Sequence, residues 1–164
     1  MCRFLINFAR ENNIPVFVDP KGIYWSKYED VTCITPNLKE FKELAINFSD
    51  TEITEEEEKT AKDIIELFNL KNLLITKGKD GMSLYKEDGH FLHLPTEAEE
   101  VFDVSGAGDT VIAVLAAMYC CGNSIEDSVI IANKAAKYVV KKKGTRPITY
   151  EELVNEISET IRGV

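Results

Sequence analysis

Residues Phe102–Val114 read FDVSGAGDTVIAV. Between Asp103 and Asp109 the stretch packs in two glycines and two aspartates, and it turns apolar at Val111, Ile112, Ala113 and Val114. Glycine allows a sharp turn and a close approach of backbone to ligand. An apolar run directly after such a turn predicts a helix whose first N–H groups and positive dipole end point outward. The pattern therefore predicts an anion-binding turn at Gly106, Ala107 and Gly108. Asp109 sits inside it, where a phosphate would repel a carboxylate. Proton removal reconciles the two. Asp109 would take the proton of an attacking hydroxyl, while the amides of Gly106, Ala107 and Gly108 stabilise a transferring phosphoryl group. The plainer alternative is that Asp103 and Asp109 only cap the turn and the helix.

Strand and helix patterns alternate along the rest of the chain. Residues 3–12 read as an amphipathic helix. IPVFVD (14–19) is a short β-branched and aromatic run that stops at Asp19-Pro20, and DVTCIT (30–35) is a second strand. Residues 36–47 carry Leu38, Phe41, Leu44 and Ala45 at helical spacing. Residues 54–70 open with Thr54 and Glu57 as a capping box and bury Ala61, Ile64, Ile65 and Phe68. NLLIT (72–76), MSLYK (82–86) and FLHLP (91–95) are three strands separated by glycine-bearing turns. An apolar helix then runs to Cys121 and ends at Gly122. A further helix spans 124–143 and stops at Gly144, and the last, 149–161, is capped by Thr149. This order predicts an α/β fold with a mainly parallel sheet, covered on both faces, and a β-hairpin insertion.

The chain has 164 residues, 45% hydrophobic and 29% charged, so one domain can bury a core. Its formal net charge of −9 argues against a nucleic-acid partner. No stretch approaches the ~20 apolar residues of a membrane span, and the opening MCRFLINFAR makes a poor signal peptide. A cytoplasmic protein is expected. Cys2, Cys33, Cys120 and Cys121 lack metal-ligand spacing and are expected to be reduced and mostly buried. His90 and His93, three apart on a strand, would point to opposite faces and read as surface positions rather than zinc ligands.

DVSGAGDT resembles the C-terminal signature of the ribokinase-like, or phosphofructokinase-B, carbohydrate kinases. TPNLKEF resembles that family's Asn-x-x-Glu motif at Asn37 and Glu40. ITKGKDGMSLY resembles its Gly-x-x-Gly nucleotide loop at Gly78 and Gly81, and IANKAAKYVVKKKGT resembles the segment lining the adenine pocket. The four occur in the family's order. PVFVDPKG, YEDVTCITPNLKEF and GNSIEDSVIIANKAA are similar in addition to the family's heptose 7-phosphate kinases of ADP-heptose synthesis.

The resemblance implies a three-layer α/β/α ribokinase-like fold. Residues 1–164 would form its C-terminal part, which binds nucleotide and carries the catalytic base. The N-terminal sugar-binding part would not be represented. It implies Asp109 as base and substrate contact, with Gly106–Gly108 as anion hole. ATP would be bordered by Thr76, Lys77, Gly78, Gly81 and Asn133. Asn37 and Glu40 would organise Mg²⁺ and phosphate, with Glu40 acting through water; their spacing also fits a plain capping box. Asp103 and the Ser105 carbonyl match positions that bind a monovalent cation, K⁺, in some relatives, although Ser105 stands where the family usually has Thr. Lys21, at a strand end, would meet the substrate phosphate or pair with Asp19 or Asp30.

The reaction implied is phosphoryl transfer from ATP to a sugar hydroxyl. The first candidate is D-glycero-β-D-manno-heptose 7-phosphate, giving the 1,7-bisphosphate for lipopolysaccharide synthesis. The alternatives are a related sugar or nucleoside, or a nucleotide-binding module without turnover. A homodimer, or association with the N-terminal half, is expected.

Overall fold

The computed structural model describes residues 1–46, 57–96, 106–142, 144 and 146–162. These form two compact units. The first comprises Met1–Lys77 with Ser83–His93, and the second Gly78–Met82 with Leu94–Val164.

The first unit opens with helix α1 (Cys2–Glu11), followed by strand β1 (Phe17–Val18), a 3-10 turn (Trp25–Tyr28), strand β2 (Cys33–Ile34), helices α2 (Leu38–Ile46) and α3 (Glu57–Leu67), and strand β3 (Asn72–Thr76). β4 (Met82–Lys86) and β5 (Phe91–Leu94) complete a five-stranded sheet of order β1-β2-β3-β4-β5. β1 and β2 are parallel with Phe17 opposite Cys33, and β2 and β3 are parallel with Ile34 opposite Leu73. The Glu87 amide donates to the Lys71 carbonyl, so β4 returns alongside β3 in the opposite direction. β4 and β5 close as the expected hairpin, with the Lys86 amide donating to His90.

Burial follows position in the sheet. Four of the five residues of β3 are buried, as befits a strand covered on both faces, whereas β5 alternates exposed and half-buried as an outer strand does. The core joins Ile34, Leu73 and Ile75 of the strands to Phe41 and Leu44 of α2, Ile64 and Ile65 of α3, and Trp25. Each such large side chain, once buried, is worth about 1.5–3 kcal/mol. The first two ladders are shorter than the apolar runs 14–19 and 30–35 suggested. Pro15 and Pro20 flank β1 and offer no N–H to a neighbour. Pairing still continues beyond the ladder, with the Thr35 amide donating to Val18 at 2.8 Å.

The second unit is helical apart from its strand ends. α4 (Ala107–Cys120) packs on α5 (Ile125–Val140), and α5 on α6 (Tyr150–Arg162). α5 presents Ala132, Ala135 and Ala136 among its buried residues, which lets helices approach closely. Its start is fixed by Ser124, whose Oγ accepts from the Asp127 amide at 3.0 Å. α6 starts at the Thr149–Glu152 capping box: the Glu152 amide donates to Thr149 Oγ1 at 3.2 Å and the Thr149 amide to Glu152 Oε2 at 2.9 Å.

One sequence expectation needs correction. Only Cys33 is buried; Cys2, Cys120 and Cys121 are exposed. An apolar neighbourhood in sequence misleads where a helix ends, because Cys121 lies past the last turn of α4. Amphipathic α1 buries Ile6 and Ala9 but leaves Phe4, Leu5 and Phe8 exposed at 72%, 56% and 54%. Both histidines are exposed, as expected. Among the described residues, no helix is long and apolar enough to cross a membrane.

Candidate active site

In the first unit, the carboxyl ends of the three parallel strands carry the expected polar residues, where open α/β sheets place ligands. Past β2, Pro36 leads into Asn37 at the start of α2. The Asn37 amide donates to Glu40 Oε2 and the Glu40 amide to Asn37 Oδ1, both at 2.9 Å. This reciprocal box holds the Glu40 carboxylate at the helix mouth. Thr76, at the end of β3, forms a parallel bridge with Asn37, and its amide donates to the Pro36 carbonyl at 3.0 Å. Asn37 is thus tied to Glu40 by the capping box and to Thr76 by the backbone bridge.

Lys21 joins them. Its ammonium lies 2.9 Å from Asp19 Oδ2 and 3.3 Å from Glu40 Oε1, and the Asp19 bond, with Glu40 beside it, holds its pKa above the ordinary lysine value. Of the pairings expected for Lys21, the one with Asp30 does not form. Asp30 is taken by Arg3, Arg10 and Asn69, and the Asn69 amide is the foremost cause holding its carboxyl below the usual range.

Lys77, expected beside a nucleotide, is paired with a carboxylate. Its ammonium lies 2.6 Å from Glu57 Oε1, which also accepts a 2.6 Å hydrogen bond from the Tyr85 hydroxyl. Burial, with Glu57 next to it, pushes the Tyr85 phenol up. The sequence offered Glu57 only as a capping residue. Its partner in that reading, Thr54, lies outside the described residues.

In the second unit, the two loop glycines both have positive φ, +58° at Gly78 and +83° at Gly81, where glycine is favoured. Their surroundings differ. A Cβ at Gly78 would meet nothing within 4 Å, whereas one at Gly81 would overlap the Leu94 carbonyl oxygen and come within 2.8 Å of Pro95. Gly81 therefore serves close packing onto the Leu94–Pro95 backbone, and Gly78 faces open space. Asn133 of α5 donates to the Pro95 carbonyl at 3.4 Å and lines a cavity of about 70 Å³ with Leu94, Pro95, Ile130, Lys134 and Lys137. Gly81 and Asn133 meet through this one segment.

α4 begins at Gly106, whose φ of +80° puts it in the left-handed region. Glycine has no side chain with which to cap the helix, so the first-turn amides of Ala107, Gly108 and Asp109 gain no partner from it. A Cβ at Gly108 would meet nothing within 4 Å. Asp109 is exposed and borders a cavity of about 430 Å³. Apolar α4 residues such as Val114 and Met118 line it, together with Arg146, Pro147 and Ile148. Arg146 was not foreseen. It donates to Glu152 Oε1 at 2.6 Å, an oxygen that also accepts from Tyr138 at 2.7 Å. The Thr149 amide first, then Arg146 and Tyr138, lower the Glu152 pKa to about 2. Asp103 and Ser105 lie outside the described residues.

The profile of the pfkB family of carbohydrate kinases matches residues 1–152. The chain is 46% identical over 155 residues to the bifunctional protein HldE of Sodalis glossinidius, covering 94% of this chain and 32% of that one. It is 46% identical over 153 residues to the HldE of Yersinia pestis, again covering 32% of the relative. Among solved structures it resembles Escherichia coli phosphofructokinase-2 in complex with potassium, with a TM-score of 0.81 at 20% identity over 98% of this chain and 52% of that chain. It also resembles the ribokinase of Thermotoga maritima, with a TM-score of 0.80 at 26% identity over 94% and 52%. The chain thus spans about a third of the curated relatives and about half of the solved chains.

Proposed function

Because the chain belongs to the pfkB family of carbohydrate kinases, we propose that its residues serve phosphoryl transfer from ATP to a sugar hydroxyl, and that the acceptor is the anomeric hydroxyl of a heptose 7-phosphate. The observation that carries this reading is the start of α4. There a side-chain-free cap leaves amides for a phosphoryl group, with Asp109 beside them at the mouth of a cavity. The fold supports the reaction class, and the 46% identity to HldE proteins supports the heptose substrate.

Asp109 accepts the proton of the attacking hydroxyl, and the Gly106–Asp109 turn stabilises charge on the transferring group. The residues the reading assigns to nucleotide are Thr76 and Lys77 in the first unit and, in the second, Gly78, Gly81 and Asn133. Lys21 meets a phosphate of the substrate after leaving Asp19. The donor set fits Mg²⁺. Hard carboxylate oxygens stand at Glu40 and Asp19; Lys21, whose side chain is 68% exposed, pairs with both, and Glu40 Oε2 accepts from the Asn37 amide. When bound, the ion neutralises phosphate charge; Glu40 would hold it through water. A potassium ion at Asp103 and the Ser105 carbonyl belongs to the same reading. Its support is the potassium complex of phosphofructokinase-2, and no step depends on it. Exposed Phe4, Leu5 and Phe8 on α1 support association with a second copy or with a polypeptide carrying the other half of the kinase fold. ATP as phosphoryl donor suits a cytoplasmic location.

A coupled ADP-release assay with heptose 7-phosphate, beside an ATP titration, tests this. Asp109→Asn should lower turnover by about 10²–10⁴-fold while nucleotide affinity holds, since the amide keeps size but not basicity. Asn caps a helix as well as Asp does, so turnover within a few-fold of wild type would leave only the capping role. A wild-type chain that binds MgATP but phosphorylates no sugar, even when supplied with a polypeptide carrying the other half of the kinase fold, would favour a nucleotide-binding module instead.

A further inference from the structure

We propose that Glu57 is a positioning residue for the nucleotide end of β3, clamping Lys77 and Tyr85 so that Lys77 holds the strand exit in place instead of binding phosphate. The inference rests on the nucleotide-binding reading above and deepens it.

Three elements meet at one carboxylate oxygen. Glu57 comes from the first turn of α3, Lys77 follows β3, and Tyr85 lies in β4. Both contacts to Glu57 Oε1 are 2.6 Å, the short range of charge-assisted bonds. The Lys77 side chain is only 14% exposed, and that of Glu57 30%. An ammonium so enclosed needs a partner, and removing one partner of such a pair strands the other. A lysine reaching for phosphate would need to give up its 2.6 Å bond to a carboxylate oxygen that it shares with a buried tyrosine, 4% exposed. The residue directly before Lys77 is Thr76, tied by its own amide to Pro36 and by a bridge to Asn37. The clamp therefore secures the backbone that carries Thr76 alongside Asn37.

The whole 164-residue chain carries the test, with MgADP as probe and amide exchange at Thr76 as a second readout. If Glu57 clamps Lys77, Glu57→Gln and Lys77→Met each weaken MgADP by a similar factor, about tenfold. The double variant then loses no more than either single one, Lys77→Arg recovers most of the loss, and Thr76 exchange accelerates in both single variants. If Lys77 binds phosphate, Glu57→Gln frees the ammonium and MgADP binds more tightly, which overturns the proposal. Unchanged Thr76 exchange in Glu57→Gln overturns it as well. Tyr85→Phe keeps the ring in the core and removes only the hydroxyl, so it covers the case in which a charge variant fails to fold; it should speed Thr76 exchange, and unchanged exchange there too would refute the clamp. A wild-type chain that takes up no MgADP defeats the nucleotide reading itself. The exchange arm then still judges the clamp, since it needs no ligand.

Discussion

Gly78 and Gly81 are twins in sequence and should behave differently on substitution. Alanine at either position must adopt a left-handed backbone, φ +58° or +83°, at a cost of about 1–2 kcal/mol. At Gly78 nothing lies within 4 Å of the new methyl, so the cost ends there. At Gly81 the methyl overlaps the Leu94 carbonyl oxygen and comes within 2.8 Å of Pro95, all backbone atoms that cannot rotate aside. Overpacking of this kind adds about 1–3 kcal/mol. Gly81→Ala should then cost about 2–5 kcal/mol in total, by addition of the two terms. With a urea slope of about 2 kcal/mol per molar, its unfolding midpoint falls by about 1–2.5 M, against at most about 1 M for Gly78→Ala. Nucleotide affinity should show the reverse order once each folded protein is titrated, because the Gly78 methyl intrudes on open space where a ligand would sit. Urea unfolding and an ADP titration, run on both variants, decide the matter. Equal midpoints for the two, or a Gly81→Ala midpoint at the wild-type value, would refute the assignment of packing to one glycine and access to the other.

Acid should weaken the Arg146 loop. The Glu152 carboxyl is held at about 2 when folded against an ordinary 4.5, so its stabilising contribution is complete above about pH 4.5 and is lost as pH falls from there toward 2; Glu152→Gln should flatten that limb in a pH series of melting curves. Cys33 is fully buried, which pushes its thiol up to about 12, whereas Cys2, Cys120 and Cys121 are exposed. A colorimetric thiol reagent at pH 8 should count three thiols in the native chain and four in denaturant, and four rapid thiols in the native state would contradict the burial of Cys33. Ser124→Ala removes the side chain capping α5 and should cost about 1 kcal/mol in urea unfolding, with Ser124→Asp restoring it.

The sequence made the helices legible because apolar spacing and caps are local signals: Ser124 and Thr149 start helices where expected. The hairpin was legible from its glycine turns. Asn37 and Glu40 carried two readings, cap and ligand, and the reciprocal bonds show that the cap geometry is what presents the carboxylate. Glu57 could not be read correctly, since its partners Lys77 and Tyr85 lie 20 and 28 residues away and only the sheet brings them close. The same holds for Gly81, whose constraint comes from Leu94 and Pro95 in another part of the chain. Arg146 had no local signal apart from the capping box that presents its partner Glu152.

α5 and α6 each begin with a side chain that satisfies a first-turn amide, and α4 begins with glycine. Under the proposed function, the bound anion finishes what Ser124 and Thr149 finish elsewhere, so occupancy and folding share one equilibrium. A ligand present at a hundred times its dissociation constant adds about 2.7 kcal/mol by mass action. Heat resistance of the chain then becomes a meter for what it binds. A panel of phosphorylated sugars and nucleotides could be ranked by melting shift alone, without waiting for a turnover, and the ranking would belong to the chain even where it needs a companion to act.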